Sequence, residues 1–214
     1  LKYILSPLSL LSFKRVKSLL SFGVKGYLAE IGWFKAFDSK SSVDESGKPI
    51  PWVTYSFIDF IKDRINKNHK IFEFGSGNST FFYAERAAKV VAVEHNKEWY
   101  NKVLSTKPAN AEILFAELET DGAYCRTPIV LNEKFNIIIV DGRDRINCCK
   151  QCVSALTEDG IIVLDNTERS RYNEAIDFLI EKGFKHIPFT GIPPGVFIKN
   201  STSLFYRSNN CLGI

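Results

Sequence analysis

The chain has 214 residues, 45% of them hydrophobic and 24% charged, which is enough to bury a full core and typical of a soluble globular chain rather than a disordered one. Its formal net charge of +4 is modest, and no nucleic-acid partner is expected. The basic excess sits entirely in the first seventy residues, and no apolar run approaches the roughly 20 residues that a bilayer span needs.

Residues 1–50 are predicted to form a basic, partly helical arm, followed by one domain over 51–214. In the arm, "SLLSFKRVKSLLSF" places leucines and phenylalanines at helical spacing with basic residues between them. Such a face is either simply solvated or a contact for an acidic surface, a membrane or polyanionic glycan. The opening "LKYILSPLSLLSFKRVKSLLSF" begins as a signal peptide would, but Pro7 and several serines interrupt it and no clear cleavage site follows. The chain starts at Leu1 and contains no Met, as expected of a processed chain or a piece of a longer one. "SKSSVDESGKPIP" reads as a loop, after which Thr54 or Ser56 can cap a helix through "FIDFIKDRI".

From residue 70 the pattern becomes regular. "KIFEF", "KVVAVE", "AEILFA", "FNIIIVD" and "GIIVLD" are short, nearly all-apolar strands. The helical stretches "NSTFFYAERAA", "KEWYNKVLS", "INCCKQCVSAL" and "YNEAIDFLIEKG" alternate with them, while "ELETDGAYCRTP" reads as a loop. Apolar strands alternating with helices signal a parallel sheet covered on both faces. "FKHIPF" and "STSLFYR" then follow with no helix between them, so residues 184–189 and 203–207 are predicted to pair antiparallel. The expected fold class is α/β: a doubly wound, mostly parallel seven-stranded sheet finished by a C-terminal antiparallel hairpin. That architecture resembles the Rossmann-like fold of class I S-adenosylmethionine-dependent methyltransferases.

Ligands of an open parallel sheet bind at the carboxyl ends of its strands, and here every such end is polar. The first strand leads through Glu73 into Gly75-Ser76-Gly77, with Ser79 and Thr80 opening the next helix; the second ends in Glu94-His95. The glycines let backbone approach a ligand closely, and Glu94 can accept both hydroxyls of a ribose. A dinucleotide fingerprint wants a small residue where Thr80 stands, and rarely an acid where Glu73 stands. S-adenosylmethionine carries cationic groups that suit Glu73, so it is the expected cofactor of Glu73, Gly75, Ser76, Gly77, Ser79, Thr80, Glu94 and His95.

Asp141 ends the fourth strand and Asp165-Asn166 the fifth. Three oxygen ligands from adjacent strand ends can converge on Mg²⁺ or Mn²⁺, which would orient an acceptor hydroxyl and lower its pKa. Alternatively, Asp165-Asn166 caps the next turn and Asp141 meets water or the cofactor amine. The acidic set is similar to that of metal-dependent O-methyltransferases, but "DGRDR" offers arginine where those carry a lysine. Asp141, Arg143 and Glu168 are the expected catalytic residues, with Glu168 or His95 as a base. Arg143, Arg145, Arg169 and Arg171 at the mouth suit an anionic substrate.

"FEFGSGNST", "VDGRDRINC", "DGIIVLDN" and "TSLFYRSNNCLGI" resemble methyltransferase-like proteins encoded among surface-polysaccharide genes of bacteria and large viruses. The resemblance implies methyl transfer to a hydroxyl of a saccharide or nucleotide sugar, as one domain of a larger glycan-building enzyme. The competing readings are a metal-free methyltransferase of a small metabolite and a non-catalytic nucleotide-binding module. The odd count of five cysteines, three in "CCKQC", points to buried thiols in a reducing, cytoplasmic setting rather than zinc. Cys211 and Leu212 are expected to pack a tail onto the core.

Overall fold

The structure is a computed structural model that describes residues 12–214; the signal-like opening over residues 1–11 lies outside the described residues. Three short helices make the arm: α1 (Phe13–Ser21), α2 (Tyr27–Glu30) and α3 (Trp33–Ser39). Helix α4 (Tyr55–Ile61) follows, with Thr54 at its N-cap. Then come β1 (Lys70–Phe74), α5 (Asn78–Arg86), β2 (Lys89–Glu94), α6 (Lys97–Leu104), β3 (Ala111–Phe115), α7 (Ala123–Val130) and β4 (Phe135–Val140). Helix α8 (Arg145–Cys152), β5 (Leu156–Asp165), α9 (Asn173–Glu181), β6 (Lys185–Gly191) and β7 (Asn200–Tyr206) complete the chain.

The seven strands form one sheet in the order β3-β2-β1-β4-β5-β7-β6. β1 to β5 pair parallel, whereas β7 lies antiparallel between β5 and β6, with Ile187 opposite Leu204. The expected hairpin is therefore present, and Pro188 sits on the edge strand β6, where a missing N–H breaks no inner ladder. The order reverses between β1 and β4, which opens the crevice where ligands of such sheets bind.

Alternation along the strands explains the two-sided core. Ile137, Ile139, Ile161, Val163 and Leu204 face one layer with Phe57, Ile61 and Tyr83. Their neighbours Ile138, Val140, Ile162, Leu164 and Phe205 face the other, with Tyr124, Cys148, Cys149 and Cys152. The three thiols of "CCKQC" are wholly buried, and burial raises all three thiol pKa values. Partly buried Cys211 and Leu212 pack on the first layer.

Two local expectations change. The stretch predicted as a loop through residue 128 contains α7, which carries Pro128 inside it. Burial of Tyr124 and Cys125 in the second layer outweighs the weak local propensity. The arm divides as well: α1 has no buried residue, whereas Trp33 and Ile50 pack in the same cluster as β1 and α4. Trp33 also donates its indole N–H to the Val196 carbonyl at 3.0 Å, tying α3 to the β6–β7 loop. That contact needs Gly195, since a Cβ there would lie 2.8 Å from the Phe37 backbone nitrogen.

Candidate functional site

At the end of β1 the chain turns through Gly75 at φ +96°, a conformation that disfavours any other residue. A cavity of about 400 Å³ opens there, lined by Glu73, Gly75, Ser76, Ser79, Glu94, His95, Asp141 and Arg143, among others. Gly77 and Thr80 support it from behind: Thr80 is fully buried, and its hydroxyl accepts the Gly77 N–H at 3.0 Å. That hydroxyl donates to the Glu73 carboxylate at 2.6 Å, and the Ser79 hydroxyl donates to the other oxygen. Burial pushes the Glu73 carboxyl up to about 7, although both hydroxyls act to lower it.

Glu94 organises the turn from the neighbouring strand. One carboxylate oxygen accepts the His95 and Asn96 N–H groups at 2.9 and 2.8 Å; the other accepts the Ser76 N–H and hydroxyl, both at 3.2 Å. An ionised carboxylate offers about four lone-pair directions, so a ribose hydroxyl would have to replace the Ser76 hydroxyl. Trp99, which sequence reasoning passed over, donates its indole N–H to the Ser76 carbonyl at 2.7 Å and covers Gly77, where a Cβ would lie 3.6 Å from the ring. Gly142 was also passed over: a Cβ there would meet the Tyr124 hydroxyl at 2.0 Å and the Phe74 backbone at 3.0 Å. The β1 and β4 turns can approach each other only without it.

The acidic set at β4 and β5 is arranged differently from the expectation. Arg145, in the first turn of α8, is buried between Asp141 and Asp165. Its guanidinium donates to an Asp141 carboxylate oxygen at 2.8 Å and lies 3.6 Å from an Asp165 oxygen. It also binds the backbone carbonyls of Asp141, Gly142 and Asp165 at 2.8, 3.0 and 2.5 Å. The second Asp165 oxygen accepts the Thr202 hydroxyl at 2.6 Å, and the Asn166 amide donates to Asn200 at 3.0 Å. Arg145 thus occupies the space between the Asp141 and Asp165 carboxylates. Among the described residues no group of three or more His, Cys, Asp or Glu side chains is arranged to hold a metal. Burial still raises the carboxyl pKa values of Asp141 and Asp165, each reinforced by nearby negative charge and opposed by Arg145.

Of the other arginines expected at the mouth, exposed Arg143 and Arg169 line the first cavity, and Arg169 pairs with Glu168 at 3.2 Å. Arg171 instead lies over the Tyr172 ring. Glu168 does not reach the first cavity. It lines a second one, about 300 Å³, bounded by Trp52, Pro193, Val196, Ile198 and Lys199, and its carboxylate accepts the Ser201 N–H at 2.9 Å. Asp141, Asn166 and Arg169 line both cavities. Trp52 and the β6–β7 loop carried no sequence signal beyond "GIPPG".

No protein-family model matches the sequence, and no curated protein matches it. Solved structures do match over most of the chain. A precorrin-6y C5,15-methyltransferase from Geobacter metallireducens aligns with 13% identity over 80% of this chain and 96% of its own, with a TM-score of 0.57. A precorrin 8W decarboxylase from Methanobacterium thermoautotrophicum aligns with 16% identity over 79% and 97%, TM-score 0.53. This is the Rossmann-like methyltransferase fold. A methyltransferase candidate from Streptococcus mutans, solved in complex with SAH, shares it at 14% identity over 69% and 94%, TM-score 0.50. In this fold the first cavity lies at the reversal between β1 and β4, lined by the β1 glycine turn and the acids Glu73, Glu94 and Asp141.

Proposed function

We propose that this chain is an S-adenosylmethionine-dependent O-methyltransferase that holds the cofactor in the first cavity and the acceptor in the second. The observation that carries this is Asp141, which lines both cavities. Bound S-adenosylmethionine supplies an electrophilic methyl group on a cationic sulfur and leaves as a neutral thioether. Glu94 is the acceptor for ribose hydroxyls and Glu73 the counter-charge for the ammonium. Asp141 takes the proton of the acceptor hydroxyl; its raised pKa suits a base working near neutrality, and Arg145 fixes its orientation. Glu168 is placed to position the acceptor.

The resemblance to surface-polysaccharide methyltransferase-like proteins supports a saccharide acceptor, and Trp52 offers an aromatic plate, half exposed, for a sugar face. Since Arg145 supplies positive charge between the carboxylates, the reading needs no divalent cation. A panel of sugar nucleotides incubated with labelled S-adenosylmethionine tests it: methyl transfer to at least one is expected. If S-adenosylhomocysteine binds but no sugar nucleotide is labelled, the acceptor is a small metabolite or the chain is a non-catalytic nucleotide-binding module.

Cofactor binding carries two expected results, both read by calorimetry with S-adenosylhomocysteine. Glu94→Ala should weaken it by about 1.5–3 kcal/mol, the range for hydrogen bonds to a charged group; unchanged affinity would remove Glu94 from the ribose. The second concerns pH. Glu73 at about 7 is mostly protonated at pH 6 and mostly ionised at pH 8, and only the ionised form attracts an ammonium. Affinity should therefore rise about tenfold between those values by proton linkage, and Glu73→Gln should flatten the rise. A profile that keeps its slope in the variant would assign it to the Asp141–Asp165 pair instead.

A further inference from the structure

None of the nine residues of the arm helix α1 is buried. Phe13, Val16, Leu19 and Leu20 are 81%, 38%, 53% and 76% exposed. At about 100° per residue these four side chains fall within roughly 120° of the helix circumference. Lys14, Arg15, Lys17, Ser18 and Ser21 occupy the remaining arc, with Arg15 and Lys17 flanking the apolar stripe. No acidic residue stands between Phe13 and Ala29, while Lys25 adds a further positive charge. Beyond the helix, Phe22, Val24 and Tyr27 continue the exposed apolar surface.

An apolar stripe bordered by cations is matched by a surface that is apolar below and anionic above, which describes the headgroup boundary of an anionic bilayer. A second copy of this chain fits poorly. Nine helical residues span only about 14 Å, too short to supply by themselves the roughly 800 Å² per partner of a stable interface, and pairing would bring like charges together with no acid on the helix to offset them. We infer that α1 docks the protein on anionic membrane lipid, lying in the interface with Phe13, Val16, Leu19 and Leu20 toward the acyl chains. This is peripheral contact: among the described residues no helix is long and apolar enough to cross a membrane. The inference is independent of the proposed chemistry, because α1 contributes to neither cavity.

Vesicle flotation of the full chain tests it, with phosphatidylcholine vesicles carrying phosphatidylserine or none. Binding is expected to the anionic vesicles, falling at least about tenfold on neutral ones and falling again as salt is raised. The double variants Lys14→Glu/Lys17→Glu and Phe13→Ser/Leu20→Ser should each lose binding while unfolding at the same temperature as the parent, since all four side chains are outside the core. Equal binding to neutral vesicles, or full binding by either variant, would overturn the inference. So would light scattering that shows a dimer dissociated by Phe13→Ser/Leu20→Ser.

Discussion

Asp141→Asn is expected to lower kcat for methyl transfer by about 10²–10⁴-fold, the usual contribution of a positioned general base, while S-adenosylhomocysteine affinity stays within about twofold. The split follows from geometry. The Asn side chain keeps the shape of the aspartate and leaves the Asp141 carbonyl available to Arg145, but it cannot accept a proton from the acceptor hydroxyl. Asp165→Asn should cost less, because Asp165 lies beneath Arg145 and accepts from Thr202 rather than lining the cofactor cavity. These rates are to be measured in EDTA. Loss of wild-type turnover in EDTA would return both aspartates to a metal and displace Arg145 from its place between them. Wild-type turnover retained in EDTA together with an Asp141→Asn rate near wild type would instead move the base to Glu168 or His95.

Arg145→Met carries the largest expected change in stability, a loss of about 3–5 kcal/mol at pH 8, as found when one partner of a buried ion pair is removed. The guanidinium makes four hydrogen bonds across the β4 and β5 ends and is the cation facing both Asp141 and Asp165. Without it, two carboxyls whose pKa values burial already raises would go higher still. The sign of the pH dependence follows. A carboxyl held above its unfolded pKa opposes folding as pH rises from the ordinary carboxylate range through its folded value, and the opposition vanishes when both states are protonated. The loss in denaturant midpoint should therefore shrink from pH 8 to pH 5. A loss equal at both values would mean that Arg145 acts through packing against Tyr172 and backbone hydrogen bonds alone.

The sheet was legible because its code is local. Apolar runs such as "IIIV" and "IIVL" bury both faces, and the absence of a helix between "FKHIPF" and "STSLFYR" dictated the antiparallel end. The grouping of Gly75, Ser76, Ser79 and Glu94 around one cavity was legible for the same reason, since they lie within or next to one turn. What escaped the sequence depends on contacts between distant segments. Arg145 stands four residues after Asp141, a spacing suited to a pair once a helix follows, yet nothing local separates it from Arg143, which remains at the exposed mouth. Whether an acidic pair attracts a metal or a guanidinium is decided by which side chain the α8 backbone aims inward. Likewise α7 hides behind Gly, Thr and Pro, because its reward is the burial of Tyr124 and Cys125 against strands and helices elsewhere in the chain.

The bond from Trp33 to the Val196 carbonyl gives the two cavities different histories. The first cavity is built at the ends of β1, β2, β4 and β5, so it can hardly change without the sheet changing. The second cavity is walled in part by the 193–198 loop, which Trp33 of α3 holds through the Val196 carbonyl from 163 residues away in the chain. A new residue at position 195 would push on α3, and a changed α3 would release the 193–198 loop, so either alone reshapes the second cavity. On the function proposed above, paired changes in α3 and the hairpin loop would alter which acceptor fits while the β1 turn keeps its shape.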